Sequence, residues 1–431
     1  MNNPAPSVLR CEVCGAQYGE TDARTACDCG GLLSVAHPAP SESGRALRAR
    51  FALRRGSVSP HASDQSGVWR YQELVMPSAR RMVSHPEGNT PLLTSPRTAS
   101  YVGVRQLYLK HEGHNPTGSF KDRGMTVAIT QAVRVGARAV GCASTGNTSA
   151  SLAAYAALGG LKAIVLVPEG HVALGKLAQT IAHGARTLAV RGDFDACLRL
   201  MREAQRALGV YLVNSVNPWR IEGQKTIVAE LTEQLAWDPP DWIVLPAGNL
   251  GNTAAFGKAL VEMLDLQLID RLPRLAAVQA AGAAPFAASF AQGFSQRLRV
   301  EPNTVASAIR IGDPASFDRA VAAIRNTDGV VVSVPDEDLL EAKAIVDASG
   351  VGCEPASAAS VAGARQLVRQ GIVRPEQRVV AILTGHLLKD PEVVLDYHRD
   401  GQGTAKLANP PVIIDPTLLA LEKVAFSQTE T

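Results

Sequence analysis

The chain has 431 residues, of which 46% are hydrophobic, and a formal net charge of +3 at neutral pH. This length exceeds one ordinary domain and fits a compact two-lobed enzyme with a large core. So small a net charge gives no reason to expect nucleic-acid binding, and no apolar run is long enough to span a membrane. Met1–Ser7 lacks the basic start and apolar core of a secretory signal, so we expect a soluble, cytoplasmic protein that binds neither nucleic acid nor membrane.

Four cysteines near the N-terminus have spacing typical of a metal-binding ribbon. Cys11 and Cys14 form a C-x2-C pair, and Cys27 and Cys29 form a C-x-C pair twelve residues later. Four thiolates in a loop-rich segment suit tetrahedral zinc, and four protein ligands leave no open position, so the role would be structural. Because the second pair is not the commoner C-x2-C, reduced thiols in a degenerate ribbon are the alternative. The three other cysteines lie among apolar or small residues and are expected to be buried: Cys142, Cys197 and Cys353.

The segment after this ribbon is rich in proline and serine. We interpret Pro38–Ser66 as a linker or irregular arm, and its Arg-rich stretch Arg45–Arg55 as an exposed connector.

Lys121 lies in a turn between a predicted strand and a predicted helix. Gln106–Lys110 alternates as a short strand, and apolar residues recur at helical spacing from Met125 up to a stop at Gly136. Partial desolvation at such a junction lowers the pKa of a lysine and frees its amine, so Lys121 is a candidate Schiff-base nucleophile. For a lysine taken alone, a solvated surface charge is the alternative.

Three further loops each follow a strand-like run. Ser144–Ser149 offers several donors to an anionic group at a helix N-terminus, although an ordinary capped turn has the same composition. Pro246–Asn252 is a glycine-containing phosphate cradle that matches neither nucleotide-binding fingerprint. Leu383–His386 places the hydroxyl of Thr384 at the end of a strand, where open α/β sheets bind ligands. These sites suit a ligand that has an aldehyde for the lysine, a phosphate for the glycine loop and a ring atom that accepts a hydrogen bond from the hydroxyl. Pyridoxal 5′-phosphate has all three groups.

Strand-like runs alternate with helical patterns along most of the chain, which predicts an α/β fold with mostly parallel sheets. After Gln106–Lys110, the predicted strands are Ala139–Ala143, Ala163–Val167, Arg186–Val190, Tyr211–Val213, Trp242–Leu245, Arg274–Gln279, Gly329–Val334 and Arg378–Leu383.

Seven segments, in order and without a large gap, resemble the signature blocks of the threonine synthases, a family of fold-type-II pyridoxal phosphate enzymes. They are Asn115–Met125, Ser144–Ser151, Asn214–Thr226, Gly248–Asn252, Ala308–Pro314, Glu354–Gly363 and Thr384–Pro391. The resemblance, which covers about Trp69 to Pro391, implies two lobes with the cofactor between them.

The resemblance also implies roles for single residues. Lys121 would be the Schiff-base lysine, Asn147 would contact the phenolic oxygen of the cofactor, and Thr384 would face its pyridine nitrogen. The cofactor phosphate would be held by a loop of five residues: Gly248, Asn249, Leu250, Gly251 and Asn252.

The family reaction converts O-phospho-L-homoserine and water into L-threonine and phosphate. We assign Ser144, Thr145 and Thr148 to the substrate carboxylate. A polar cluster suits the substrate phosphate, with a capped helix start as the alternative: Asn214, Ser215, Asn217 and Arg220, followed by Lys225, with Arg310 a weaker candidate.

Two positions depart from the family pattern by carrying leucine, Leu250 for alanine and Leu387 for glycine. His111 replaces an acidic residue; we interpret it as a surface position, with a local pH-sensitive contact as the alternative.

The expected organisation is a cysteine-rich arm, a linker, a large lobe, a small lobe and a C-terminal extension. The corresponding residues are 1–36 for the arm, 37–68 for the linker, 69–124 and 236–400 for the large lobe, 125–235 for the small lobe and 401–431 for the extension. The family leads us to expect a homodimer. Alternative functions are a threonine or serine ammonia-lyase, a cysteate synthase, and a protein that binds cofactor or partners without turnover; a lyase acting on unphosphorylated substrates would have little need of the phosphate cluster.

Overall fold

The computed structural model describes residues 6–57, 63–170, 174–399 and 405–426. The chain divides into two compact units, Met1–Asp390 and Pro391–Thr431. Within the described residues, none of the helices combines the length and the apolar character that crossing a membrane requires.

The strands of the described chain are numbered in sequence order. They are β1 Val8–Cys11, β2 Gln17–Gly19, β3 Leu33–Ala36, β4 Leu92–Thr94, β5 Gln106–His111, β6 Ala139–Ala143, β7 Lys162–Pro168, β8 Arg186–Val190, β9 Tyr211–Leu212, β10 Trp242–Pro246, β11 Arg274–Ala280, β12 Val330–Val334 and β13 Arg378–Leu383.

The α-helices are numbered in the same way. They are α1 Gly44–Arg55, α2 Gln72–Val75, α3 Pro96–Val102, α4 Lys121–Arg134, α5 Asn147–Gly159, α6 Leu174–Ala182, α7 Phe194–Leu208, α8 Pro218–Gln224, α9 Thr226–Gln234, α10 Gly251–Asp265, α11 Pro285–Ala291, α12 Phe317–Asn326, α13 Asp336–Ala348, α14 Pro355–Arg369, α15 Pro391–His398 and α16 Leu418–Ala425.

The first unit contains two predominantly parallel sheets. The six-stranded sheet has the order β12-β11-β10-β13-β5-β4, and only β4 is antiparallel to its neighbour. The four-stranded sheet has the order β8-β7-β6-β9 and is parallel throughout. The predicted α/β class is therefore confirmed, and each strand predicted from Gln106 onward is present with ends that differ by at most one residue.

Burial explains why these strands could be recognised. Every residue of Trp242–Pro246 is buried, with Val244 paired to Ala276 on one side and Ala381 on the other. Strands covered on both faces read as continuous apolar runs. Helix α14 packs on β10, β11 and β13, and its small residues permit close approach, since a Cβ at Gly363 would lie 2.4 Å from the Val278 side chain.

The strands of the four-stranded sheet lie between residues 139 and 212, and those of the six-stranded sheet lie at 92–111 and 242–383. The predicted boundaries of the small lobe, residues 125 and 235, fall between the strands of one sheet and those of the other. These boundaries stay a prediction. The second compact unit starts at Pro391, earlier than the predicted extension at 401.

The N-terminal cysteines lie in a small antiparallel sheet of order β2-β1-β3. Val8 pairs with Ala36 and Cys11 with Leu33, so β3 is held along the whole of β1. Leu9, Leu33 and Val35 are buried between this sheet and the rest of the unit.

The Arg-rich stretch predicted to be an exposed connector is instead helix α1. The Ser43 hydroxyl accepts a hydrogen bond from the Ala46 amide at its N-terminus, and Leu47 and Phe51, four residues apart, are buried on one face. The guanidinium groups of Arg50 and Arg54 pair with Glu73. With only two large apolar side chains buried among many arginines, the helical period is too weak to predict the helix from sequence.

Candidate active site

Four loops meet at the carboxyl ends of parallel strands. The turn that ends in Lys121 follows β5, the Ser144–Ser149 loop follows β6, the Gly248–Asn252 loop follows β10, and the Thr384 loop follows β13. Open α/β sheets bind ligands at this edge because helix N-termini and loop amides converge there.

The Lys121 turn is fixed by hydrogen bonds within itself and to the Thr384 loop. Asp122 accepts hydrogen bonds from the Thr117 amide at 2.7 Å, the Thr117 hydroxyl at 2.6 Å and the Ser151 hydroxyl at 2.6 Å. The Phe120 amide donates to the Thr384 carbonyl at 3.0 Å. Lys121 is the first residue of α4, so its backbone position is set by contacts to two neighbouring elements.

The Lys121 amine is held in a form suited to a nucleophile. Its Nζ lies 3.8 Å from the centre of the Phe120 ring. Burial and, secondarily, the positive charge of Arg220 lower the pKa of Lys121 to about 7, while the charge of Glu354 acts in the opposite direction. A large fraction of this amine is therefore neutral near pH 7.

Glu354 joins two residues that the resemblance places on the cofactor. One carboxylate oxygen accepts a hydrogen bond from Asn147 Nδ2 at 2.9 Å, and the other accepts one from Thr384 Oγ1 at 2.9 Å. Ser357 Oγ lies 3.0 Å from the same threonine hydroxyl. Burial raises the pKa of Glu354. Sequence reasoning gave Glu354 no individual role, although it opens a matched block; an acidic residue before the proline that starts α14 was the available signal.

The glycine loop carries backbone and hydroxyl groups suited to a phosphate. A Cβ at Gly248 would lie 3.0 Å from Ile309 Cα, so a larger residue there would require the Ile309 backbone to shift. The hydroxyls of Thr253 and Ser316 are buried and have no hydrogen-bond partner in the described part of the chain. Buried hydroxyls without a partner beside a helix N-terminus are what an anionic ligand would satisfy. This arrangement fits the phosphate of pyridoxal 5′-phosphate.

The family departure in this loop has a structural consequence. Leu250 is buried and has a φ of 63°, a left-handed conformation that side chains other than glycine rarely adopt. The leucine thus fills an apolar space at the expense of backbone strain.

The loop assigned to the substrate carboxylate is only partly ordered by its own side chains. Ser144 Oγ accepts a hydrogen bond from the Gly146 amide at 3.3 Å. Ser144, Thr145 and Thr148 are half-buried at the start of α5, so their hydroxyls remain accessible to a ligand.

The predicted phosphate cluster is divided by the structure. The Asn214 amide bonds both backbone groups of Ala143, and the Asn217 amide donates to the Leu212 carbonyl at 2.8 Å, so both have structural partners. Lys225 points elsewhere, to the Leu74 carbonyl and Glu262.

Arg220 is the member of this cluster with capacity left for a ligand. It is buried, donates to the Val213 carbonyl at 3.1 Å, has an Nε without a hydrogen-bond partner, and makes no ion pair with a described residue. Burial lowers the pKa of Arg220 to about 10. A buried guanidinium without a counter-ion is suited to an anionic ligand. Ser215 is half-buried beside this cluster, and Arg310 donates to the Thr304 carbonyl instead.

The interpretation of His111 as a surface residue is wrong. His111 is the last residue of β5 and is 1% exposed, and its Nε2 lies 2.7 Å from the Gly352 carbonyl oxygen. Burial lowers the pKa of His111.

Three cysteines outside the N-terminal group were predicted to be buried, and the structure confirms this for Cys142, Cys197 and Cys353.

The four N-terminal cysteines converge on one point. The sulfur atoms of Cys11, Cys14, Cys27 and Cys29 all lie within 4.8 Å of one another, a spacing that a tetrahedral metal ion requires. Hydrogen bonds, of which the one from Tyr18 is the largest contribution, lower the pKa of Cys27 to about 6 and favour its thiolate. The donor set fits zinc.

Known proteins resemble this chain in sequence and in fold. Residues 83–385 match the family model described as pyridoxal-phosphate dependent enzyme. Threonine synthase of Methanosarcina acetivorans is 42% identical over 98% of this chain and 99% of its own length, and that of Methanocaldococcus jannaschii is 43% identical over 90% and 94%. The crystal structure of threonine synthase from Escherichia coli is similar in fold, with a TM-score of 0.67 at 19% identity over 97% of this chain and 99% of the other.

Proposed function

We propose that this chain, which belongs to the pyridoxal-phosphate-dependent enzymes and within them to the threonine synthases, converts O-phospho-L-homoserine and water into L-threonine and inorganic phosphate. The observation that carries the choice of substrate is that Arg220 is a buried cation to which no described residue supplies a counter-ion, and its charge acts on the Lys121 amine. An ammonia-lyase that acts on unphosphorylated serine or threonine does not need such a cation beside its lysine. The curated relatives favour the same choice.

Lys121, Asn147, Thr384 and the Gly248–Asn252 loop would hold the cofactor. Pyridoxal 5′-phosphate, when bound, takes up the substrate amine and delocalises negative charge that develops on the substrate. Glu354 accepts hydrogen bonds from the Asn147 amide and the Thr384 hydroxyl, and so would hold both in one orientation for the cofactor.

Lys121 is the proton carrier. With a pKa of about 7, its neutral amine can remove the substrate Cα proton and then a Cβ proton, and its ammonium form can return protons to the substrate. Loss of phosphate from Cγ takes away the electron pair of the Cγ–O bond. Water then adds at Cβ as a hydroxyl group, and its remaining proton balances the charge of the released phosphate. The two protons that Lys121 removed return to Cγ and Cα, which completes threonine.

Arg220 would bind the substrate phosphate and stabilise it as it leaves. Its free Nε and remaining N–H groups can donate to phosphate oxygens. At the other end of the substrate, the hydroxyls of Ser144, Thr145 and Thr148 would donate to the carboxylate. Binding the substrate at both ends would hold its Cα and Cβ beside the Lys121 amine.

The experiment that tests this function measures phosphate release from O-phospho-L-homoserine beside keto-acid formation from threonine and serine. We expect threonine and phosphate in equal amounts. Lys121→Ala should abolish turnover, whereas Lys162→Ala, at an exposed lysine, should leave it unchanged. Keto acid without threonine would reject the function in favour of an ammonia-lyase.

The four cysteines would hold structural zinc, because their sulfur atoms already have the required spacing. Metal analysis should find one zinc ion per chain and none in a variant with Cys14→Ser and Cys29→Ser. Equal metal content in both proteins would reject the site.

The protein would act as a homodimer in the cytoplasm. Light scattering coupled to size-exclusion chromatography tests the assembly, and a mass equal to one chain would reject it.

A further inference from the structure

We propose that the N-terminal arm, residues 6–37, is a metal-dependent brace that positions Arg220, with His37 and Glu222 as the positioning residues that connect the arm to that guanidinium. This inference rests on the proposed phosphate-binding role of Arg220 and adds a means by which metal loading controls it.

The connection to Arg220 is a buried hydrogen bond between His37 and Glu222. His37 Nε2 lies 2.7 Å from Glu222 Oε2, and its Nδ1 lies 2.9 Å from the Ser7 hydroxyl, so both ring nitrogens have partners. Glu222 lies two residues after Arg220 in the short helix α8, and it also pairs with Lys225 and Lys258. A displacement of Glu222 therefore moves the turn of helix that carries Arg220.

The arm also contacts the two other helices that begin at the site. The Glu20 carbonyl accepts a hydrogen bond from Gln131 at 2.6 Å, in the last turns of the helix that begins at Lys121. The Val35 carbonyl accepts one from Lys258 at 2.5 Å, in the helix that begins at Gly251. The N-terminal arm thus contacts α4, α8 and α10, each of which carries a candidate site group.

A metal ion would fix the strand that makes two of these contacts. Cys11 is the last residue of β1 and pairs with Leu33 in β3, the strand that contains Val35 and leads to His37. The Cys27–Cys29 turn precedes β3, so a metal ion would join both ends of the segment between β1 and β3. The arm buries only a few apolar side chains of its own, and small domains of this kind depend on a metal for a fixed structure.

The test compares two variants with different metal content. Cys14→Ser with Cys29→Ser removes the metal at two exposed positions, and His37→Ala breaks the contact to Glu222 while all four cysteines remain. In cofactor-loaded enzyme, both should raise the Kd for inorganic phosphate and the KM for O-phospho-L-homoserine by about tenfold, since displacing a binding group by about 1 Å costs up to about a hundredfold. The kcat should fall as well, because Arg220 also stabilises the departing phosphate, whereas the visible absorbance of bound cofactor should stay within about twofold. Amide hydrogen exchange of α8 should become faster in both variants, although only the cysteine variant lacks zinc.

Gln205→Ala is the matched control. It removes the hydrogen bond of 3.0 Å between the arm residue Thr25 and α7, a helix that carries no candidate site residue. We expect wild-type Kd, KM and α8 exchange. Wild-type phosphate affinity and α8 exchange in either test variant would overturn the proposal, and so would a loss confined to kcat. If the wild-type enzyme releases no phosphate from O-phospho-L-homoserine, the proposed function fails, while the exchange of α8 with and without zinc still decides the brace.

Discussion

Glu354 and Thr384 form a hydrogen bond of 2.9 Å between carboxylate and hydroxyl at the centre of the candidate site. The second oxygen of the same carboxylate accepts a hydrogen bond from Asn147. Both residues expected to contact the cofactor ring are therefore oriented by one buried group. Because Thr384 has a single hydroxyl proton, the protonation of Glu354 decides whether that proton is held by the carboxylate or is available to the ring nitrogen.

Glu354→Gln should weaken cofactor binding and lower kcat by about tenfold to a hundredfold, because the new amide group cannot accept the second hydrogen bond. Fluorescence titration of the cofactor and steady-state kinetics measure the two effects. Glu376→Gln, at a glutamate 57% exposed in its side chain, is the control and should change neither. Wild-type cofactor affinity in Glu354→Gln would contradict this role.

The charge of Lys121 should make cofactor uptake depend on pH. Only the neutral amine attacks an aldehyde, and the pKa of Lys121 is lowered to about 7, so the rate of uptake by the cofactor-free protein should rise between pH 6 and 8 and then level off. Stopped-flow absorbance measures this rate.

Two variants should move the midpoint of that profile in opposite directions. Arg220 lowers the pKa of Lys121, so Arg220→Met should shift the midpoint to higher pH; Glu354 raises it, so Glu354→Gln should shift the midpoint to lower pH. An unchanged midpoint in both variants would show that burial alone sets this pKa.

The strands could be predicted from sequence because burial on both faces makes their composition apolar, as in Trp242–Pro246. The hydrogen-bond partners of single side chains could not be predicted from sequence. His111 lies in a polar segment, and its burial follows from the pairing of β5 with β13 up to Leu383. Asn214 has a side chain of a type that can bind phosphate, yet its amide forms hydrogen bonds with Ala143 because β6 and β9 are neighbours. The chemical character of a loop could be predicted from its residues, whereas the direction of each side chain depends on tertiary contacts.

Asp122 should make folding less favourable as pH rises. Burial raises its pKa to about 6 in the folded chain, from 3.8 without burial. Its contribution to the free energy of unfolding is therefore fully present below about pH 3.8 and is lost as pH rises through 6, a change of about 3 kcal/mol. Asp122→Asn should lack this dependence, so the difference in urea stability between the two proteins should change over that range. A constant difference would contradict the shift.

Leu250 should show the opposing effects of burial and backbone strain. Leu250→Ala removes a buried side chain and keeps the φ of 63°, so it should cost about 2–4 kcal/mol. Leu250→Gly loses the same burial but relieves the strain, and it should be about 1 kcal/mol more stable than the alanine variant. Denaturant unfolding compares the two. An alanine variant as stable as the glycine variant would mean that this backbone conformation is not strained.

The helix that begins at Lys121 is anchored by a buried charge network centred on Glu230. Its carboxylate accepts hydrogen bonds from Lys110 at 2.6 Å and Arg123 at 2.9 Å, and from the Asn89 and Thr90 amides. These cations hold the pKa of Glu230 far below its usual value despite its burial.

Glu230→Gln should destabilise the fold by about 3–5 kcal/mol, because it leaves buried cations without their shared counter-ion. Adding Lys110→Met removes one of those cations, so the double variant should recover part of the loss, which double-mutant analysis of denaturant unfolding measures. The sign with pH is the reverse of that for Asp122: a lowered pKa gives stability that is present above about pH 4.5 and is lost as pH falls. The glutamine variant should therefore lose less stability than wild type on acidification. If both single changes simply add, the charges act independently and the network does not anchor the Lys121 helix.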